Sequence, residues 1–215
     1  MKLFIVLLAL VLPESVESQQ FVLVFLNKKA DKTELPEKDV KRIMDGHMAN
    51  IRKLAKEGKL IVAGPFDGGG GIFIFKAASP DQAKEWLASD PGVQANRWNV
   101  EVLPYTPRVG SVCQVKEPIH MVNYEFVRYT INITKYNVRD AAETSRKHDE
   151  YLKKIAQTGN IIAEGTFGED GGILVIQGEL QKEVIEADPS VSEGLYQVDY
   201  KKLFVAEGAF CEEIK

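Results

Sequence analysis

The sequence contains few of the residues that usually mark a metal centre or a nucleic-acid-binding surface. Among 215 residues only three are histidine and two are cysteine, and 27 Lys and Arg are outnumbered by 31 Asp and Glu. A mildly acidic chain without basic runs binds phosphate backbones poorly, so we expect no nucleic-acid partner. Two histidines in separate repeats and a third, His120, in another element do not form a ligand cluster, so we expect no metal site.

Long hydrophobic runs are absent after the first dozen residues. Met1-Lys2 and the apolar run Leu3–Leu12 have the form of a secretory signal peptide, for which we expect cleavage after Ser18. The run is too short to span a bilayer. The alternatives are a buried N-terminal strand and a membrane anchor. We expect a secreted or periplasmic protein that does not contact a membrane once residues 1–18 are removed.

An internal repeat dominates the rest of the chain. His47 and His148 are 101 positions apart, and several glycines recur at the same offset. An Asp-Pro pair follows in each half, at Asp90-Pro91 and Asp188-Pro189. The repeat predicts two domains of similar size. We place the first at residues 19–105 and the second at 119–215, with a linker over 106–118.

Hydrophobic patterning predicts the same order of elements in both repeats. In the first, strand Phe21–Leu26 precedes a helix over Glu37–Glu57, a hairpin, a helix after Ser79-Pro80 and a last strand from about Trp98 to Leu103. This βαββαβ order is that of a ferredoxin-like α+β fold, with two helices on one face of an antiparallel sheet. The face of each sheet that carries no helices must be buried against another layer. We therefore expect the two sheets to pack face to face as a pseudo-dimeric α+β barrel within one chain.

The two cysteines leave two alternatives. Cys113 lies between the repeats and Cys211 lies beyond the last strand of the second. In an exported chain they could form a disulfide that ties the linker to the C-terminus, or both could remain free thiols. Asn132-Ile133-Thr134 is a glycosylation sequon that matters only in a eukaryotic host.

The paired histidines are the main candidates for chemistry. Each lies in the middle of the apolar stripe of its helix, so both imidazoles should be largely buried and need hydrogen-bond partners. The repeat offers Asp90 to His47 and Asp188 to His148. A carboxylate beside imidazole fixes its tautomer and prepares it for proton transfer. The alternative is a core histidine bonded to a carbonyl, with Asp-Pro acting only as a helix stop.

Two aromatic residues occupy equivalent positions near these histidines. Trp98 and Tyr196 start the last strand of each repeat. They could line a substrate cleft, or they could serve as core packing.

The series His47, Gly58, Ala63-Gly64-Pro65 and Asp90-Pro91 resembles the YciI-like (YCII-related) family. The resemblance covers about Phe21–Tyr105 and, more weakly, Tyr124–Val205. It implies a ferredoxin-like fold that pairs into an α+β barrel, with a His–Asp pair in a cleft as the expected active site. One relative is a dehydrochlorinase acting on a chlorinated hydroxyhydroquinone, and neighbouring barrel families include muconolactone isomerases.

By this resemblance, His47 with Asp90 and His148 with Asp188 are the expected catalytic pairs, and Gly64 and Pro65 shape the cleft wall. The second repeat departs from the family pattern, because Glu164-Gly165-Thr166 replaces Ala63-Gly64-Pro65. Neither repeat has the arginine often found three residues before the histidine; Met44 and Ser145 stand there instead.

Two functional hypotheses follow. The first is an exported general acid/base enzyme of isomerase or lyase type, without a cofactor, in which His47 oriented by Asp90 acts on a small cyclic or aromatic substrate. The second is a tandem module that binds a small molecule or has a purely structural role, without catalysis. A base must reach the ligand, whereas a structural histidine need not.

Overall fold

The computed structural model describes residues 20–211, except Tyr136, Gly159 and Glu169. The signal peptide predicted over residues 1–18 lies outside the described residues. The elements of the first repeat are β1 (Phe21–Lys28), α1 (Glu37–Lys56), β2 (Leu60–Pro65), β3 (Gly71–Lys76), α2 (Pro80–Leu87), α3 (Pro91–Gln94) and β4 (Trp98–Val109), and β5 (Ser111–Val112) follows. The second repeat has β6 (Met121–Ile131), α4 (Ala141–Ala156), β7 (Ile161–Thr166), β8 (Gly171–Ile176), α5 (Lys182–Glu186), α6 (Pro189–Ser192) and β9 (Tyr196–Ala206), and β10 (Phe210–Cys211) follows.

Both repeats have the sheet order of a ferredoxin-like fold. The first runs β2-β3-β1-β4 and the second β7-β8-β6-β9, with antiparallel pairing between neighbours. The two sheets join where β4 pairs with β7. On the other side, a bridge between Phe66 and Leu203 connects the end of β2 to β9. Eight strands thus close into the pseudo-dimeric α+β barrel that the sequence predicts.

The side chains of β1 show how the layers are arranged. Phe21, Leu23 and Phe25 point into the barrel, where they pack with residues of both repeats. Val22 and Val24 point outward, against the helices of the first repeat. Because β1 is covered on both faces, it consists of a nearly continuous apolar run. A separate cluster joins the second repeat's helices to its sheet.

Two glycines allow the repeats to approach each other at the seams of the barrel. A Cβ on Gly64 would lie 2.8 Å from the carbonyl oxygen of Phe204 on β9. A Cβ on Gly165 would lie 2.5 Å from the ring of Tyr105 and 2.7 Å from the carbonyl oxygen of Thr106 on β4. The repeated glycine is therefore explained by barrel closure, since no side chain fits at either seam.

The segment after the first repeat is more ordered than the predicted linker. Strand β4 continues to Val109 instead of ending near Leu103, because its last residues pair with β7 of the second repeat. Strand β5 then pairs with β10, and beside this pair Cys113 and Cys211 form a disulfide with Cα atoms 6.0 Å apart. Of the two alternatives for the cysteines, the structure has the bridge.

The helices agree with the sequence patterning. In α1 the buried stripe includes Ile43, His47 and Leu54. Ser79 caps α2 by accepting a hydrogen bond from the Gln82 amide. Among the described residues no helix is long and apolar enough to cross a membrane.

Candidate functional site

The histidine and the Asp-Pro of the first repeat meet between α1 and the one-turn helix α3. His47 Nδ1 lies 2.9 Å from both carboxylate oxygens of Asp90, and the aspartate is fully buried. Asp90 is also the N-cap of α3, accepting hydrogen bonds from the amides of Gly92 and Val93 at 2.9 and 3.2 Å. The Asn50 side-chain amide donates to the same carboxylate at 3.2 Å. The aspartate thus caps a helix and also binds the imidazole, so the two sequence interpretations of Asp-Pro describe one arrangement.

These contacts determine the electrostatics of Asp90. Burial raises the pKa of its carboxyl group, but hydrogen bonding and charge interaction with His47 lower it. The hydrogen bonds from Val93 and Asn50 lower it further, and the net result is a pKa below the usual value for aspartate. The carboxylate therefore stays ionised and is available to accept the Nδ1–H of the imidazole.

The second repeat has the same pair with one additional partner. His148 Nδ1 lies 2.7 Å from Asp188 Oδ2, and the Ser190 hydroxyl oxygen lies 3.0 Å from the same nitrogen. Asp188 caps α6 by accepting a hydrogen bond from the Ser190 amide at 2.8 Å. Both Asp188 and Ser190 are fully buried, and His148 is only 6 % exposed. The structure brings together both predicted His–Asp pairs.

A cavity of about 580 Å³ adjoins His148. It lies between α4 and the end of the second sheet, next to the seam where β4 joins β7. Its wall includes Tyr129, Ser145, His148 and Tyr196. Apolar residues also line it, namely Ile131, Val138, Leu152, Ile173 and Leu195. This volume is within the usual range for a small-molecule site.

Aromatic rings pack against the histidine of each repeat. The Trp98 ring centroid is 4.8 Å from that of His47, and Phe73 stacks on the other part of the imidazole at 5.7 Å. In the second repeat the residue equivalent to Trp98 is Tyr196, whose ring meets His148 edge-on at 5.3 Å, and the Tyr129 ring meets the same imidazole edge-on at 5.1 Å. Ser145 stands where the first repeat has Met44. Two residues that line the cavity, Ser145 and Tyr196, are therefore smaller than the residues at the same positions of the first repeat.

A charged cluster forms the polar side of the cavity and joins the two repeats. Arg108 on β4 donates to both oxygens of Glu164 on β7, at 2.7 to 3.1 Å. Its remaining terminal nitrogen donates to Asp149 on α4 at 2.6 Å. Glu164 is only 4 % exposed, so this buried carboxylate depends on the arginine for compensation.

Tyr129 supplies a buried hydroxyl group beside the cavity. Its side chain lines the cavity and is 1 % exposed, and its oxygen has no hydrogen-bond partner among the described residues. Burial and the negative charge of Asp188 raise its pKa, so the group remains a hydrogen-bond donor at neutral pH. A buried donor without a partner is costly in a folded protein unless a ligand or water satisfies it.

Gly64 and Pro65, expected at a cleft wall, lie at the other seam of the barrel. Gly64 faces the backbone of β9. Pro65 lines a separate cavity of about 330 Å³ with Phe66, Asp67, Asn123, Lys202 and Phe204. Trp98 contacts His47, and Tyr196 lines the larger cavity. Among the described residues, no group of three His, Cys, Asp or Glu side chains is placed to hold a metal ion.

Sequence reasoning missed Arg108, Asp149, Glu164 and Tyr129. Arg108 falls in the segment interpreted as a linker, and its contact with Glu164 depends on how the barrel closes. One signal was available: Glu164 interrupts a strand at the position where the first repeat has Ala63. A carboxylate in a buried strand requires a cation or a ligand nearby.

Comparison with known proteins finds a family whose model matches the first repeat. Residues 21–106 match the model of the YCII-related domain. No curated protein sequence matches the chain.

Solved structures with little sequence similarity share the overall architecture. A candidate monooxygenase from Fusobacterium nucleatum subsp. nucleatum ATCC 25586 has a TM-score of 0.54 and 7 % identity, over 93 % of this chain and 99 % of that one. An anthrone oxidase-like protein has a TM-score of 0.48 and 10 % identity, over 89 % and 93 % of the two chains. A candidate chlorite dismutase has the same TM-score and identity, over 89 % and 96 %. The first of these similarities supports the fold and extends it across both repeats.

Proposed function

We propose that the protein, whose residues 21–106 match the YCII-related domain, is a general acid/base enzyme of isomerase or lyase type. It acts on a small cyclic or aromatic molecule held in the cavity of the second repeat. The observation that carries the proposal is the position of His148, which lines the cavity and is bound through Nδ1 to the buried Asp188. Its Nε2 has no hydrogen-bond partner among the described residues, so this nitrogen is available to a ligand.

The hydrogen-bond pattern favours one direction of proton transfer. Asp188 accepts the Nδ1–H of the neutral ring, which leaves the lone pair on Nε2. A substrate proton taken up by Nε2 creates an imidazolium that the adjacent carboxylate stabilises. The protonated Tyr129 donates a hydrogen bond to an oxygen that gains negative charge in the same step. Return of the proton to another atom gives isomerisation, and loss of a leaving group gives elimination, so proton transfer suffices without a cofactor.

The proposal moves the main site from His47 to His148. In the first repeat, Trp98 and Phe73 pack against the imidazole. The same repeat retains the His47–Asp90 bond, which also supports the N-terminus of α3. That structural use of the pair favours the second candidate function, a tandem module that binds a small molecule without catalysis.

Variants of the two histidines test the proposal. A panel of cyclic ketones and chlorinated hydroxyhydroquinones would be incubated with the protein in D₂O, and deuterium uptake and chloride release would be measured. We expect His148→Gln to lower the rate by about 100-fold or more. The matched variant His47→Gln should retain most of the rate, with melting curves confirming that both variants are folded. Equal rates for the wild type and His148→Gln would overturn the assignment.

Export is part of the proposal. It is supported by the signal-like sequence of residues 1–18 and by the disulfide between Cys113 and Cys211, a type of bond that persists in oxidising compartments. Expression of the full chain in its host, followed by N-terminal sequencing of the mature protein, tests it. An N-terminus at Gln19 in the secreted or periplasmic fraction is expected, whereas an intact Met1 in the cytoplasm would contradict it.

A further inference from the structure

The charges around the larger cavity indicate the class of molecule that it binds. The described residues of its lining include one guanidinium group, Arg108, and two carboxylates, Asp149 and Glu164. The remaining ionisable lining group near them, His148, is itself bonded to the carboxylate of Asp188. Apart from any proton on the histidine, the lining thus carries a formal charge of −1, with a further carboxylate directly behind the imidazole.

Arg108 already donates its hydrogen bonds to these two carboxylates, so it is poorly placed to bind an anionic ligand. Its Nε and one terminal nitrogen bind Glu164, and the other terminal nitrogen binds Asp149 at 2.6 Å. An anion entering the cavity would have to compete with two carboxylates for the same cation. A cationic group meets the opposite situation, because Asp149 is 41 % exposed in its side chain and has a second oxygen outside this contact.

Features other than the acidic residues also indicate that the cavity is a ligand-binding site. It has a volume of about 580 Å³, and its lining includes the apolar residues Leu152 and Leu195, which belong to the cluster between the helices and the sheet. Tyr129, which lines the cavity and is 1 % exposed, has a hydroxyl group without a hydrogen-bond partner among the described residues. An apolar body with a polar end would satisfy both kinds of surface.

The first repeat provides an internal comparison. The residues at the positions of Asp149 and Glu164 are Met48 and Ala63. Both carboxylates of the lining are therefore specific to the second repeat, whose histidine lines the cavity.

We infer that the cavity of the second repeat selects a small cyclic or aromatic molecule that carries a positively charged nitrogen, with the cation beside Asp149 and the ring against Leu152 and Leu195. The inference rests on the proposed function only in placing the ligand in the same cavity. It specifies the charge of the substrate, which the fold and the family leave open.

Two probes of similar shape and opposite charge test this inference. The mature protein would be titrated with 2-phenylethylammonium and with 3-phenylpropionate, and affinities would be measured by calorimetry. Shifts of the backbone amide signals of Gly171 and Gly172, which line the cavity, would locate the binding. We expect the ammonium probe to bind at least about fivefold more tightly, and the preference to weaken with added salt.

The variant Asp149→Asn should remove most of that preference. Asp45→Asn is the matched control, because it removes a carboxylate from an exposed position of α1, far from the cavity in sequence and on the other repeat. The control should keep the wild-type preference. Equal or tighter binding of the carboxylate probe, or ammonium binding that leaves the Gly171 and Gly172 signals unchanged, would overturn the inference.

His148→Gln separates this inference from the proposed function. The variant should lose turnover but retain the preference for the ammonium probe, since its lining carboxylates are unchanged. If the wild type prefers the ammonium probe but turns over no substrate, the proposed enzymatic function is wrong and the inferred charge preference stands. If the wild type turns over substrate but does not prefer the ammonium probe, the inferred charge preference is wrong and the enzymatic function stands.

Discussion

His47 Nδ1 lies 2.9 Å from the carboxylate of Asp90, in a position where the aspartate has no contact with solvent. The same carboxylate binds two backbone amides at the start of α3. One side chain therefore links the long helix α1 to the short helix α3. The site and the stability of the first repeat depend on the same group.

Asp90→Asn should lower the free energy of unfolding at neutral pH by about 1–3 kcal/mol. The asparagine side chain can still cap α3, but it lacks the negative charge that the His47 imidazole and the backbone amides of α3 contact. The pKa of Asp90 in the folded protein is below its usual value of about 3.9. Its contribution to stability is therefore complete above that value and is lost as the pH falls through the lower, folded-state pKa.

Urea unfolding at several pH values checks this prediction. The difference in stability between the wild type and Asp90→Asn should be constant near neutral pH and shrink below about pH 4. The surface variant Asp45→Asn should change stability by less than about 0.5 kcal/mol. A stability difference that grows below about pH 4 would contradict a lowered pKa of Asp90 in the folded protein.

The tautomer of the two paired histidines is a second prediction. With Asp90 and Asp188 accepting from Nδ1, the neutral rings should carry the proton on Nδ1 and leave Nε2 unprotonated. Nitrogen chemical shifts of the imidazoles report the site of the proton directly. His120, which is exposed and outside both pairs, serves as the reference. Protonation of Nε2 in neutral His148 would leave no base facing the cavity.

More of the fold than of the candidate site can be predicted from the sequence. The continuous apolar run of β1 and the helical stripe around His47 are local patterns, and each has a counterpart in the other repeat. The His–Asp pairs could also be predicted, since Asp-Pro recurs near the end of each repeat. Arg108 could not be found in this way, because its partner Glu164 becomes a neighbour only when β4 pairs with β7. The size of the cavity also depends on small lining residues such as Ser145, and their contribution cannot be predicted until the positions of the surrounding elements are known.

The disulfide should contribute strongly to stability. Cys113 and Cys211 are separated by 98 positions, and closing a loop of that length in the unfolded chain corresponds to roughly 4–5 kcal/mol in the chain-entropy model. The double variant Cys113→Ser/Cys211→Ser should unfold at correspondingly lower urea concentration. Thiol titration of the mature wild type is the control, and reactive thiols in the native protein would show that the bridge is absent.

Gly165→Ala should destabilise the seam between the repeats. The added methyl group would meet the Tyr105 ring and the Thr106 carbonyl, so β4 and β7 must separate, at a cost of about 1–3 kcal/mol. Hydrogen exchange of the β4 and β7 amides should increase more than that of β1. Gly208→Ala is the control for backbone strain, because that glycine has a positive φ and open space around it, so alanine there costs stability without crowding the seam. The same preferential increase of exchange at β4 and β7 in both variants would mean that crowding at the seam is not the cause.

Ser145→Met gives the second repeat the residue that the first has at the same position. Ser145 lines the cavity on α4, and methionine is a better helix former, so the fold should be unaffected or slightly more stable. The longer side chain would occupy space next to His148, and we expect the affinity for 2-phenylethylammonium to fall by about tenfold. The reciprocal variant Met44→Ser is the control and should leave that affinity unchanged. If Ser145→Met bound the probe normally, the ligand would have to occupy a different surface, and the divergence of the two repeats would concern packing alone.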